Sequence, residues 1–467
     1  MADSAKSAAI EIVRTLRDRG YHAYLVGGCV RDLLLGREPA DYDVSTDAHP
    51  EDVMRIFPKT WAVGAQFGVV LVPVESIRSD GARSPSSATD TSHQALATDY
   101  STIEVATFRS DGLYTDGRHP DQVTYSQDPR QDVQRRDFTI NGLLLDPTTN
   151  QVLDYVGGLG DLHHEIIRTI GSPEKRFDED KLRMLRAVRF AARFGYKIDP
   201  ETMRAIKRLA PQIAQVSRER VRDELTKMLT EGHARRSFEL LDETGLLREV
   251  LPEVEKMKGV EQPPQFHPEG DVWVHTLLML EMLPPGGSRT LAWGALLHDV
   301  GKPPTFRVAP DRIRFDRHVE VGVAMAEDIA RRLRMSNDDT HQIAALVGQH
   351  MRFADALKMK PSTLKRFMRQ PQFAEHLEMH RIDCLASHGD LSIYESLRQR
   401  LAETPPEEIR PRPLITGHDL LAMDYRAGPQ FREILAAVED AQLEGRVTTR
   451  DQAIELVRRE YPLERRA

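Results

Sequence analysis

The sequence predicts an α+β protein, with an N-terminal mixed sheet and helices over residues 1–170 followed by an all-α remainder. Short apolar runs bounded by glycines and acidic turns recur until about residue 170. From Phe177 onward the apolar positions take helical spacing, as in Leu182, Leu185, Val188, Phe190 and Ala191. Pro-rich breaks, EQPPQFHPEG around residue 265 and TPPEEIRPRP at 404–413, then divide the helical part. With 467 residues and about 150 per domain, roughly three domains are expected. The expected divisions are 1–170 as a head with an insertion at 76–101, 171–262 as a helical neck and body, 263–402 as a second helical domain, and 403–467 as a helical tail.

In chain order, YHAYLVGG reads as a strand ending at Gly27 and Gly28, and VRDLLLG as a short helix stopped by Gly36. DYDVST is a strand, HPEDVMRIF a helix opened near Asp47, and FGVVLVPV a buried strand. Residues 76–101 are rich in Ser, Thr, Ala and Asp with scarcely a large apolar side chain, so they are expected to form a flexible insertion. IEVATF resumes the sheet at Ile103. DEDKLRMLRAVRFAARFG and the Ser217-capped SRERVRDELTKMLTEG are helices, and a third helical block runs from Asp271 to about Ala402.

Composition excludes several classes. No stretch offers the roughly 18 uninterrupted apolar residues of a membrane helix, and the N-terminus lacks a signal-peptide core. Two cysteines, Cys29 and Cys384, are too few for a disulfide framework. A reducing cytoplasm, away from any membrane, is the expected location. The net charge of −8 argues against a general polyanion binder. Residues 181–236, however, carry 15 Lys or Arg against 6 Asp or Glu, a basic block suited to holding a polyanion in one place.

The first chemical constellation is Gly27-Gly28-Cys29-Val30-Arg31-Asp32 followed by Asp41-Tyr42-Asp43. On a strand, residues i and i+2 share a face, so the two aspartates project together. Adjacent carboxylates suit Mg²⁺. The glycine turn lets backbone approach a phosphate, with Arg31 as a nearby cation. Together these features match metal-assisted phosphoryl or nucleotidyl transfer, and no P-loop run is present.

With these motifs the chain resembles the class II tRNA nucleotidyltransferase/poly(A) polymerase family, which contains the CCA-adding enzymes. The resemblance implies that Asp41 and Asp43 bind two Mg²⁺ for attack by an RNA 3′-hydroxyl, with Glu104 as a candidate third carboxylate. Arg135-Arg136-Asp137-Phe138-Thr139-Ile140-Asn141 resembles the triphosphate motif. The residue after it is usually Ala and here is Gly142, a departure expected to cost only local stiffness. Glu179 to Arg189 resembles the nucleobase-reading helix, with Asp180, Arg183 and Arg186 spaced by three as one ridge and Arg189 beyond them. Residues 110–130 resemble the loop that complete CCA-adding and A-adding enzymes carry, and the basic block would face a tRNA acceptor stem. CTP, ATP and tRNA are the implied partners. A poly(A) polymerase and a partial CC- or A-adding enzyme share every one of these motifs and stay open as alternatives. No motif sets an oligomeric state.

The second constellation, Leu296-Leu297-His298-Asp299-Val300-Gly301-Lys302, resembles the signature of HD-domain phosphohydrolases. The resemblance adds His275 upstream and Asp383 as the distal acid, with His318 and His350 as additional ligands, around a divalent transition metal. A working hydrolase and a scaffold without turnover both fit this pattern.

Overall fold

The computed structural model describes residues 2–62, 68–74, 102–112, 117, 121–265, 267–310 and 312–463. The insertion expected at 76–101 lies outside them. The chain divides into two compact units, 1–228 with 236–250, and 229–235 with 251–467. The Pro-rich 261–270 stretch therefore lies inside the second unit.

In the first unit, α1 (Ala2–Asp18) buries Ala8, Ala9, Ile12, Val13 and Leu16, one stripe at helical spacing. It packs on a six-stranded sheet. β1 (Ala23–Val26) leads through α2 (Gly28–Leu34) to β2 (Asp43–Thr46), and α3 (Pro50–Ile56) leads to β3 (Val69–Pro73) and β4 (Thr102–Thr107). β5 (Arg109–Asp111) and β6 (Val123–Tyr125) pair as a separate ribbon, largely in the 110–130 segment read as a loop. α4 (Pro129–Gln134) follows, capped by the Asp128 carboxylate. A hairpin of β7 (Leu143–Asp146) and β8 (Gln151–Asp154) then completes the sheet, in the order β3-β4-β2-β1-β7-β8. Within this sheet β2 and β4 run parallel and the other described neighbours antiparallel, placing Asp43 opposite Glu104.

The helical part begins after α5 (Gly158–His163) and β9 (Ile166–Ile167). α6 (Pro173–Glu179) meets α7 (Leu182–Phe194) at an extended Asp180, and β10 (Lys197–Ile198) pairs with β9. α8 (Pro200–Leu209), α9 (Arg218–Thr230), α10 (Ala234–Glu243) and α11 (Leu246–Val250) follow. Gly195, left-handed at φ +73, ends α7.

The second unit is helical as expected. It runs through α12 (Pro252–Glu255), α13 (Val272–Glu281), α14 (Arg289–Leu297) and α15 (Lys302–Thr305). One short hairpin, β11 (Phe306–Val308) and β12 (Ile313–Phe315), precedes α16 (His318–Arg332) and α17 (Asn337–Gln349). α18 (Pro361–Met368) and α19 (Phe373–Ala386) complete the bundle around the buried α14, and α20 (Ser392–Glu403) with α21 (Pro406–Ile409) pack beside it. The tail helices α22 (Gly417–Ala422), α23 (Pro429–Leu443) and α24 (Arg450–Glu460) close a small core of their own around Leu420, Ile434 and Val457. Arg366 of α18 pairs with Glu439 and Asp440 to hold that tail.

Candidate active site and metal centre

Asp41 precedes β2 and Asp43 begins it, with Tyr42 and Val44 turned into the core. The alternation that buries the apolar pair is what sets both carboxylates on the open face. Burial raises the Asp43 carboxyl to about 6, and the charges of Glu104 and Asp41 add to this against the opposing pull of Arg136. Burial and Asp41 likewise raise Glu104. Three acids pushed together in this way form a donor set for a hard divalent cation, because only a cation relieves their repulsion.

Behind the acids lies a pocket of about 490 Å³ whose wall includes Gly27, Gly28 and eight arginines. A larger cleft of about 850 Å³ opens beside it and shares Arg135, but it contains none of the three acids. Gly27 sits at φ +79, and a Cβ there would stand 3.3 Å from the Arg136 guanidinium, so this turn brings the arginine onto bare backbone. Asp132, buried in α4, takes Arg135 at 2.7 Å and Arg136 at 2.9 Å. Burial alone would raise its carboxyl, yet the two guanidiniums hold it down at about 2.

Several predicted site residues spend their polar atoms on one another. Arg186 grips Asp137 Oδ2 with two N–H groups at 2.9 and 2.7 Å. Asn141 donates to Asp137 and accepts from Arg31, whose Nε also bonds Asp32. The Arg31 guanidinium lies over Phe190 and Phe194, 5.5 and 4.6 Å from their centroids. Arg189 is committed to Glu224 at 2.7 Å, joining α7 to α9. This network sets the shape of the pocket.

Asp180 stands outside the helix. Its backbone is extended at the α6–α7 elbow and its carboxylate accepts from Leu182 N–H, so the ridge along α7 consists of Arg183, Arg186 and Arg189. A short acid gains more by capping the free N–H groups of a helix start than by lying inside the helix. Arg220 of α9 holds the Asp180 carboxylate by two bonds at 3.1 and 2.7 Å. Arg183 donates to Glu179, to Arg176 C=O and to Arg135 C=O. Arg220, Glu224 and Arg193 had no place in the sequence-based site. Their signal was Arg220 and Glu224 one helical turn apart on α9. Gly142 also differs from expectation. A Cβ there would meet Val156 at 2.8 Å, and Val133 and Ile170 at 3.1 Å, so glycine fits a space that alanine would overfill.

The second unit gathers His275, His298 and Asp383 into one cluster, and Asp299, His318 and His350 into another, each with its ligand atoms within 4.8 Å. Asp299 touches both, at 3.1 Å from His298 Nε2 and 3.8 Å from His350 Nε2. Each ring is anchored through Nδ1: His298 to Ala295 C=O at 2.9 Å, His350 to Val347 C=O at 2.7 Å, His318 to Phe315 C=O at 3.0 Å, and His275 to Glu269 at 2.7 Å. Every Nε2 is thereby turned inward. His275, His298 and His318 Nε2 and Asp299 Oδ1 are buried without a hydrogen-bond partner among the described residues, the mark of a donor set that fits divalent metal.

The electrostatics agree. Burial lowers His350 to about 4 against the pull of Asp299, and it also lowers His318, which keeps both rings neutral. Burial works against the Asp299 and Asp383 charges, but neighbouring histidines, with Lys302 beside Asp299, hold both carboxyls far below the usual range. Burial would lower His275, but the Asp383 and Glu269 carboxylates beside it raise it to about 9, so a metal at Nε2 takes the place of a proton there. Lys302 links Asp299 at 2.6 Å to Gln262 at 2.5 Å, so the Pro-rich stretch is an outer wall of this centre.

Three family models match the chain: poly A polymerase head domain over residues 23–168, probable RNA and SrmB-binding site of polymerase A over 195–258, and HD domain over 271–385. The chain is 43% identical over 238 residues to the CCA-adding enzyme of Geobacillus stearothermophilus, covering 51% of this chain and 53% of that protein. It is 36% identical over 280 residues to that of Lactobacillus johnsonii, covering 59% and 64%. The aligned stretch thus spans between half and two thirds of these curated relatives. The crystal structure of the Bacillus stearothermophilus CCA-adding enzyme in complex with CTP superimposes with TM-score 0.70 at 28% identity, over 97% of this chain and 98% of that one. The Thermotoga maritima CCA-adding enzyme complexed with tRNA shares the fold, with TM-score 0.56 at 18% identity over 97% and 94%. Nucleotidyltransferase and HD domains generally use divalent metals, and no described helix is long and apolar enough to cross a membrane. By its three matched regions and its curated relatives, the chain belongs to the tRNA nucleotidyltransferase/poly(A) polymerase family and carries an HD domain.

Proposed function

We propose that this chain adds CCA to the 3′ end of tRNA from CTP and ATP, without a nucleic-acid template. The observation that carries this reading is the convergence of Asp41, Asp43 and Glu104 beside an arginine-walled pocket. Asp41 and Asp43 hold Mg²⁺, with Glu104 completing the acid set. Bound there, Mg²⁺ supplies charge neutralisation at the phosphates and a more acidic 3′-hydroxyl. The RNA 3′ oxygen attacks the α-phosphorus in line, and the bond to pyrophosphate breaks as the new P–O bond forms.

Arg135 and Arg136 take the triphosphate, and Gly27 and Gly28 let it approach the backbone. Asp180 and Arg183 read the base edge, an acceptor and a donor set side by side. Arg186, Asp137, Asn141, Arg31 and Arg189 hold the wall rigid. The basic block 181–236 takes the acceptor stem through phosphate contacts. At the HD centre, His275, His298, Asp299 and Asp383 hold one divalent transition metal, and Asp299, His318 and His350 a second, for phosphohydrolase chemistry on a phosphate ester. The division into head, neck and body, HD domain and tail is part of the same reading.

The test supplies the full chain and Mg²⁺ with tRNA lacking CCA, tRNA ending in CC, and an unstructured RNA. Three nucleotides added to the first and one to the second, then a stop, is the expected result. Long A tracts on any 3′ end would make it a poly(A) polymerase, and CC or A alone would make it a partial enzyme.

A further inference from the structure

The four histidines of the HD centre differ in what holds them. His298, His318 and His350 each anchor Nδ1 on a backbone carbonyl three residues earlier. His275 alone is anchored by a charged side chain, the Glu269 carboxylate, from the loop that precedes α13. That same oxygen, Oε1, also accepts from His267 Nδ1 at 2.8 Å, while Oε2 is buried with no partner among the described residues. The two rings stand edge to face at 4.9 Å.

The distances separate two roles for Glu269. Two ligand atoms at about 2.0–2.2 Å from one tetrahedral metal stand roughly 3.3 Å apart. The His275–Glu269 contact is 2.7 Å, which is a hydrogen bond. Its direction also matters. Nδ1–H points at Glu269, so Nε2 is left facing Asp383 Oδ1 at 3.2 Å, on the side where His298 lies.

We propose that Glu269 is a positioning residue for the HD metal centre: its carboxylate fixes the tautomer and ring orientation of His275, so that Nε2 is the metal-binding atom. This rests on the metal-binding reading of the cluster given above. A carboxylate behind a ligand imidazole raises its basicity and holds it in place before the metal arrives, and losing such a partner typically weakens binding about 10–100-fold. An i−3 carbonyl belongs to the ring's own segment and needs no outside partner. His275 sits in the first turns of α13, where the preceding loop is the nearer source of an acceptor.

The experiment titrates the full chain with Co²⁺, in an Asp41→Asn/Asp43→Asn background so that the head acids do not contribute. Affinity is read by chelator competition and ligand geometry by the visible d–d spectrum. Glu269→Ala is expected to weaken one Co²⁺ equivalent by about 10–100-fold and alter its spectrum. Glu269→Gln, whose amide oxygen can still accept from Nδ1, should recover part of both. His267→Ala should stay close to the unsubstituted protein, since the shared oxygen then serves His275 alone. Equal affinity and spectrum for Glu269→Ala and the unsubstituted protein would overturn the positioning role. Absence of Co²⁺ binding in the unsubstituted background would instead overturn the metal reading itself. In the same Glu269 variants with Asp41 and Asp43 intact, nucleotide incorporation should be unchanged, which separates a local effect from misfolding.

Discussion

Replacing Asp43 with Asn removes a charge that the fold holds against its preference. Its carboxyl is raised from 3.8 to about 6, first by burial and then by Glu104 and Asp41. A raised acid pKa means that the native state binds this proton more tightly than the unfolded chain does. Ionised Asp43 therefore destabilises the fold, fully so above the folded value of about 6, progressively less down to 3.8, and not at all below it. At 1.36 kcal/mol per unit, the full penalty is about 3 kcal/mol at pH 8 and roughly half that at pH 5. Asn is neutral and nearly isosteric, so the variant should be more stable by those amounts in EDTA. For a unit of this size that is about 6–12 °C in the melting temperature at pH 8. Calorimetry in EDTA at both pH values measures it, and nucleotide incorporation by the same variant should be lost. Added Mg²⁺ should stabilise the parent protein and leave Asp43→Asn unmoved. A variant no more stable than the parent at pH 8, or a gain independent of pH, would refute the electrostatic account of this site.

Other substitutions probe the scaffold. Asp137→Ala leaves the half-buried Arg186 without its acid and breaks the bond to Asn141, so it should cost about 1.5–3 kcal/mol, read by chemical denaturation. Arg220→Ala frees the Asp180 carboxylate, and kcat/KM for CTP and ATP should fall about 10²-fold in steady-state assays with little change in melting temperature. Gly301→Ala places a Cβ 2.1 Å from His318 C=O and 2.6 Å from Gly322 N. Because backbone cannot yield as a side chain tip does, metal binding at the HD centre should be lost with a destabilisation of at least about 3 kcal/mol, while nucleotide incorporation persists.

Much of the head was legible because its signals are short-range. The strands around Val26, Val44, Val70 and Val105 announced themselves by alternation. Gly27 and Gly36 both take positive φ where the turns were expected. The β7–β8 hairpin went unread because its apolar run, Leu143 to Leu145, is short and no residue of β8 is fully buried. Asp180 misled for a related reason. Three-residue spacing looks helical wherever it occurs, and only the capping geometry reveals that the helix has not yet begun.

The chain's local chemistry was settled by residue order: which face Asp41 and Asp43 share, where α7 must end, and that His298 with Asp299 closes a helix. Tertiary structure decided which charges meet. Asp43 faces Glu104 because β2 and β4 pair in parallel across 60 residues. Asp180 meets Arg220, Asp299 lies between two histidine clusters, and Glu269 leaves a Pro-rich loop to hold His275. Periodicity, turns and caps act over one or two turns of chain, so they can be read in order. Charge pairing and desolvation depend on distance in space, and that distance exists only once the core has closed.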